Sequence, residues 1–437
     1  MRWYKGRDLT IAIEASRSAA GSIALLVAML VVAGCGTAGD AAKSKQANVI
    51  ALVGGRVQPS PDATVVPEGV VLIADGRIMA VGRRADVVVP PGAAVVDCAG
   101  ATVLAGFWNS HVHFMPSAFR QAATAPAQQL GDELRAMLTS HGIVHVVDTG
   151  SYILNTLALR RRIESGEVPG PSILTAGTGF VPVNGSPYYI LPARLPELTD
   201  QARTVELVNA EIDRGADIVK LFTGSWARPD SIVVMPVELV RAATDAAHRR
   251  GKLVFAHPSN SAGARAAIEE GVDVLAHTFP SELDRRPWDR ALPGMMRTRG
   301  MSLVPTLKLF PYELRRAGLS ASVVDIVLGN AEAQLHAFAE LGGSVLFGTD
   351  VGYMTDYDPT DEYVYMARAG LTFSQILAAL TTAPADRLGA ASRTGRLAPG
   401  LEADVVVVEG DPATDIRALG RVRMTFRRGR AIFRKTA

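Results

Sequence analysis

The chain has 437 residues, 48% of them hydrophobic, enough to bury a large core and more than one core usually serves, so one large domain with a smaller companion is expected. The formal charge is +2, and Arg2, Lys5, Arg7 and Arg17 against Asp8 and Glu14 account for all of it, which leaves the rest of the chain neutral and excludes a basic nucleic-acid surface. The 41 glycines and 25 prolines are ordinary for a protein with many short turns, and two cysteines, Cys35 and Cys98, are too few for a disulfide scaffold.

The N-terminus reads as an address. The stretch RSAAGSIALLVAMLVVAGCGTAGD joins a basic flank to an apolar run of about fifteen residues, short of the roughly 20 that span a bilayer, followed by small residues and a cysteine. Val32-Ala33-Gly34-Cys35 resembles the bacterial lipobox, in which the cysteine is lipidated and becomes the mature N-terminus. An ordinary cleaved signal or an uncleaved anchor is the other reading. Residues 1–35 are thus expected to be a lipoprotein signal, with Cys35 the lipidation site. Residues 36–47 are small, polar and without apolar period, as a flexible tether should be. The body is expected to be exported and held to the cell envelope by this anchor alone, at the periplasmic or outer-membrane face where there are two membranes.

Residues 48–104 carry β-branched runs, VIALVGGRVQ, GVVLIADGRIMAVG and AAVVDCAGATVLAG, punctuated by turn residues; Asp75-Gly76 is a hairpin signal. Residues 395–437 are again strand-like in LEADVVVVEGD and RVRMTFRRGRAIFRK. One small β-sandwich built from both ends is expected. Between them, strands are expected at residues 106–114, 143–148, 172–176, 217–222, 253–257, 272–277, 302–307 and 344–350. Amphipathic segments such as MPVELVRAATDAAHRRG and NAEAQLHAFAELGG separate several of them. Eight β–α alternations over residues 105–394 are the pattern of an α/β fold of the (β/α)8 TIM-type barrel class. A doubly wound open sheet ranks below it, because no glycine fingerprint follows a first strand.

A barrel keeps its chemistry at the C-terminal ends of its strands. There the sequence places His111 and His113 in GFWNSHVHF, Lys220 in DIVKLF, His257 in VFAHPSN, His277 in VLAHTFP and Asp350 in VLFGTD. On a strand, residues i and i+2 share a face, so His111 and His113 project together, and two neutral imidazoles on one face can hold a metal ion. Elsewhere His145 reads as a hydrogen-bonded core residue, and His248 and His336 as helix-surface residues. Asp148 is either structural or a support of the site.

On these residues, and on GRIMAVG and LTTAPADRLGAASRTGRLAPGLEADVVVVEGDP near the two ends, the chain resembles the amidohydrolase superfamily over residues 48–434, in the subgroup of imidazolonepropionases and metal-dependent prolidases. The resemblance implies that His111, His113 and Asp350 bind one metal and that His257 and His277 bind a second. It implies that Lys220 bridges both as a carbamate derived from carbon dioxide. An unmodified lysine is an ammonium of pKa near ~10.4 without a lone pair, so the modification is what makes it a ligand. Imidazole favours divalent transition metals, zinc foremost. By the same resemblance a metal-bridging hydroxide attacks a polarised carbonyl, and Asp350 is the catalytic proton shuttle to the leaving group.

Three positions depart from the pattern: Asn109 stands two residues before His111 where an aspartate is common, Ala276 precedes His277 where a glutamate is frequent, and Asn184-Gly185 replaces a histidine of the third loop. The loops that set specificity offer Phe180, Tyr188, Tyr189, Trp226, Phe310 and Tyr312 as an aromatic mouth. Arg228, Arg315 and Arg316 are candidates for a substrate carboxylate. The expectation is a hydrolase of a C–N bond in a small molecule, such as a dipeptide, N-acyl amino acid or cyclic amide. Alternatives are ester, lactone or carbamate hydrolysis on the same site, or a degenerate barrel serving as an envelope binding lipoprotein. No nucleic-acid partner is expected, and homo-oligomerisation is left open.

Overall fold

The fold is built around eight short parallel strands. A computed structural model describes residues 49–280, 282 and 287–436; the expected signal, Cys35 and the tether lie outside them. Phe107–Val112, Ile143–Asp148 and Ser172–Thr175 form a three-stranded parallel sheet in chain order. Val219–Phe222, Val254–His257, Val274–Ala276, Ser302–Val304 and Ser344–Val345 form a five-stranded parallel sheet, also in chain order. The first two strands of the smaller sheet are buried throughout, their polar residues included, as expected of a parallel sheet covered on both faces.

Backbone hydrogen bonds join the two sheets at both sides. On one side Asp217 N donates to Thr175 O at 2.7 Å and Phe180 N to Lys220 O at 2.9 Å. On the other, Ser110 N donates to Phe347 O at 2.7 Å, Asp350 N to His111 O at 2.9 Å and His113 N to Val351 O at 2.8 Å. That second seam is close: a Cβ on Gly352, whose φ is +94°, would fall 1.7 Å from the His113 carbonyl oxygen. Only glycine lets the chain after Asp350 pass there.

Helices cover the parallel strands. MPVELVRAATDAAHRRG forms Val237–Arg249, which starts after Pro236 and buries Leu239, Val240, Ala243, Ala246 and Ala247 on one face. NAEAQLHAFAELGG is the second half of Ala321–Glu340, whose Val324, Leu328, Ala331, Leu335 and Phe338 recur every three or four residues toward the core. Inside the parallel strands Val147, Ala176, Ile218, Phe255, Val274, Val304 and Leu346, each from a different segment, pack as a separate apolar cluster.

The β segments of the two ends share one eight-stranded sheet. Ala101–Ala105 pairs with Val405–Glu409, joining the N-terminal strands to Val422–Arg427 and Arg430–Arg434. The expected hairpin is there: Ala74 faces Arg77 across Asp75-Gly76, both with positive φ. Residues Ala47–Ala437 cluster as one unit. Among the described residues no helix is long and apolar enough to cross a membrane.

Strand limits differ from expectation where the chain bends toward the site. The last parallel strand is regular only over Ser344–Val345, so Asp350 sits in irregular backbone five residues beyond it. His113 and His277 each lie one residue past a strand end. A ladder would fix side-chain direction by alternation; leaving it lets these side chains turn inward.

Candidate active site

His111, His113, His277 and Asp350 converge directly. The Nε2 atoms of His111 and His113 lie 3.4 and 2.9 Å from Asp350 Oδ1, so the two imidazoles do face together. The His111 and His277 rings are 4.5 Å apart, and the His257 and His277 rings 4.6 Å. One ligand atom each from His111, His277 and Asp350 fits within 4.8 Å. Lys220 is 2% exposed on the first strand of the five-stranded sheet, with Nζ 5.4 Å from the Phe222 ring centroid. No carboxylate lies within 4.0 Å of it among the described residues, unlike most buried lysines.

The electrostatics suit cation binding. Burial first, then the nearby Lys220 charge, hold His111 and His257 well below the ordinary histidine value; burial, His257 and Lys220 do the same for His277. These rings are neutral and keep a lone pair. For His113, burial opposes the proton but the adjoining Asp350 carboxylate outweighs it, and the value rises. Burial brings the Lys220 amine down to about 8, against the pull of Asp350 and Asp148.

His111 Nδ1 and Asp350 Oδ1 are buried and have no hydrogen-bond partner. Buried polar atoms are nearly always partnered, so these two, beside four clustered imidazoles, fit a site for divalent transition metals.

Three of the other ring nitrogens have a distinct partner each. His113 Nδ1 lies 2.6 Å from Gly150 O, His277 Nδ1 lies 2.6 Å from Thr306 Oγ1, and His257 Nε2 lies 3.0 Å from Ser259 Oγ. Such partners fix ring orientation at metal sites. Among the described residues, four of the eight non-glycine residues with positive φ are here: Ser259, His277, Thr306 and Asp350. Strain of this kind costs about 1–3 kcal/mol per residue and gathers where function requires it. Sequence reasoning did not find Ser259 or Thr306; a hydroxyl one or two residues beyond a strand end is too common to signal a site.

Asp148 is a buried support: it accepts from Ser151, Thr156 and Thr175 side chains and from Gly150 N, which steadies the loop whose carbonyl meets His113. Asn109 bonds Thr349 Oγ1 at 2.6 Å and accepts from the amides of His111 and Thr349, tying the first strand to the last. Ala276 is fully buried.

The expected mouth separates into two groups. Tyr188 and Tyr189 pack edge to face at 5.5 Å, and Tyr189 meets Tyr353 at 5.3 Å. Burial raises Tyr189 well above the ordinary tyrosine value, with Tyr353 and Asp350 adding to it. Tyr353, not singled out from the sequence, is thereby joined to the site. Tyr312 bonds Thr355 Oγ1 at 3.1 Å in the loop beyond Asp350. Trp226 is half-buried in a hairpin of Gly224–Arg228 with Ser231–Val234. Phe180 is a core residue and Phe310 packs against the same core, so they do not form the mouth. The Arg228 side chain is 71% exposed and pairs with Asp230; Arg316 pairs with Glu313. Arg315 is exposed. None of these three arginines is joined to the histidines.

The family model described as amidohydrolase family matches residues 102–432. The ochratoxinase of Aspergillus niger is 24% identical over 426 residues, covering 86% of this chain and 84% of its own length. The imidazolonepropionase of Syntrophobacter fumaroxidans is 24% identical over 377 residues, covering 80% of this chain and 85% of its own. A crystal structure of a Xaa-Pro dipeptidase with bound methionine superposes with a TM-score of 0.75 at 21% identity, covering 88% of this chain and 99% of that one, a likeness of fold. With the match spanning most of the described residues, the chain is an amidohydrolase and belongs to the amidohydrolase family.

Proposed function

We propose that the chain is a metal-dependent hydrolase of a C–N bond in a small molecule, with His111, His113, His257, His277, Lys220 and Asp350 around two divalent transition-metal ions, zinc foremost. The observation that carries it is the clustering of four imidazoles, two of them facing Asp350, with His111 Nδ1 and Asp350 Oδ1 left unpartnered in the interior. Two such ions supply an acidified water and a polarised carbonyl. Asp350 then takes the proton of the attacking water and returns it to the leaving nitrogen, a role suited to a carboxylate 2.9 Å from the His113 ring. Lys220 serves as a carbamate: its buried amine, lowered to about 8, is partly unprotonated at neutral pH, the form that adds to carbon dioxide. The tyrosines Tyr188, Tyr189 and Tyr353 line the approach, where the apolar or aromatic part of a substrate is held.

In this reading the two parallel sheets close into a (β/α)8 barrel over residues 105–394, supported by the backbone bonds at both seams. The shared sheet of residues 48–104 and 395–437 forms the smaller, sandwich-like companion. Export and a lipid anchor on Cys35 are part of the proposal and rest on the sequence pattern of residues 1–35 alone.

The test is metal per chain by elemental analysis, on wild type and Lys220→Ala, followed by a panel of dipeptides, N-acyl amino acids and cyclic amides. Close to two ions in wild type, fewer in the variant, and turnover on an amide are expected. A chain that takes up no transition metal, even after reconstitution, sinks the reading.

A further inference from the structure

We propose that three loops around the approach to the histidines form a surface that rests on an anionic lipid bilayer, a contact that does not use the N-terminal anchor. The loops are residues 113–126, 149–154 and 176–196, and each begins where one of the first three parallel strands ends. Hydrogen bonds hold them side by side. Phe114 N donates to Ser151 Oγ at 2.8 Å, Asn155 Nδ2 to Arg120 O at 2.9 Å and Ser151 N to Gly177 O at 2.9 Å. Met115 and Tyr152 directly follow the two residues of the first of these bonds. Residues 186–195 make a lobe closed by Leu195 N on Ser186 Oγ at 3.1 Å. Its Tyr189 meets Tyr353, just past Asp350, while Tyr188 and Leu191 stay exposed.

The side chains that these loops show to solvent are a poor match for water alone. Met115, Tyr152, Leu154, Val183, Tyr188 and Leu191 are all exposed, Tyr152 to 64% and Leu154 to 57%. None of the three loops contains an aspartate or a glutamate. Arg120 and Arg194 are exposed, and neither has a carboxylate within 4.0 Å among the described residues. Apolar groups with cations and without carboxylates suit an anionic bilayer, where the first enter the acyl boundary and the second meet headgroup phosphates. Tyrosine suits the level between, its ring apolar and its hydroxyl polar. A symmetric pairing of the same loops from two copies would set arginine beside arginine with no acid to answer it, so the charge favours lipid over a second copy.

The test reads the loops themselves, in the full-length chain carrying Cys35→Ser so that acylation plays no part. Cys98 is fully buried, so a cysteine introduced by Leu191→Cys takes an environment-sensitive fluorophore. Leu341→Cys is the control: Leu341 is also 50% exposed but precedes the last parallel strand, at the opposite strand ends from the loops. On vesicles of phosphatidylglycerol with phosphatidylcholine, the label at 191 should shift to the blue and be quenched by nitroxide-bearing lipid, and the label at 341 should do neither. Arg120→Gln and Arg194→Gln should each lower the ratio of docked to undocked label about fivefold. Phosphatidylcholine alone, or high salt, should release it. Equal signals at the two positions, or no binding to vesicles, overturn the proposal. Shielding of the label at 191 that needs no vesicles and grows with protein concentration overturns it too, by marking a second copy as the occupant. No readout here involves metal or turnover, so the hydrolase reading and this surface fail separately.

Discussion

Two buried histidine–aspartate pairs in this chain have the same 2.9 Å separation, His113–Asp350 at the strand ends and His145–Asp404 where the C-terminal strands meet the parallel ones. Distance does not tell them apart; their other partners do. Asp404 also accepts from Arg428 N at 2.8 Å and from Thr394 Oγ1 at 3.2 Å, and His145 stacks on Trp108 at 4.3 Å. Burial works against the Asp404 charge, yet His145 and these donors hold its carboxyl below the usual range. That pair is closed. Asp350, by contrast, faces two imidazoles and has an oxygen without a hydrogen-bond partner. A buried pair that is fully partnered binds the fold together, and one with open valences is poised for a cation.

Chelation gives the largest expected contrast: turnover should vanish and return on adding zinc, while the far-ultraviolet spectrum keeps its folded shape. Next, Asp350→Asn should lower kcat by about 10²–10⁴ at matched metal content, as expected when proton transfer fails. Asp404→Asn should leave kcat per folded molecule within a few-fold. Equal loss in the two variants would erase the distinction drawn between the pairs.

Stability should report the opposite order. Asp404→Ala leaves His145 and the Arg428 amide buried without an acceptor, and denaturant titration should show a loss of about 3–5 kcal/mol. Glu362 sharpens the comparison as a third buried carboxylate, partnered by Leu307 N at 2.9 Å and Lys308 N at 2.7 Å. Burial outweighs those bonds and raises its pKa from 4.5 to about 7. The folded state then holds the proton more tightly than the unfolded one, so its contribution is full below about 4.5 and is lost as pH rises through about 7. The shift corresponds to about 3 kcal/mol. The difference in unfolding free energy between wild type and Glu362→Gln should change across that window, and a flat difference would show that Glu362 is already ionised in the fold.

Much of the architecture was legible because it is local or periodic. The β-branched runs, the Asp75-Gly76 turn and the amphipathic spacing of residues 235–251 each state their structure within a few residues. The six candidate residues were legible because strand ends in a repeating β–α pattern fall on one side of the molecule. The supports were not. Thr306, Ser259 and Tyr353 act through contacts across 29, 2 and 164 residues of chain, and nothing in their own neighbourhoods separates them from ordinary loop residues. Phe180 and Phe310 were read as mouth residues because a loop aromatic looks the same in sequence whether it faces the core or the opening.

The sequence alone thus determined the order of elements, the alternation that puts four histidines, a lysine and an aspartate at or near strand ends, and the β character of the two end segments. Those follow from side-chain period and turn chemistry. Only the tertiary structure decided which buried carboxylate is satisfied and which is open. It also decided which arginines are paired away from the site and which side chain or carbonyl each of three of the histidine rings meets. These depend on where a hydrogen-bond partner lies in space, and a partner hundreds of residues distant leaves no mark on the local pattern.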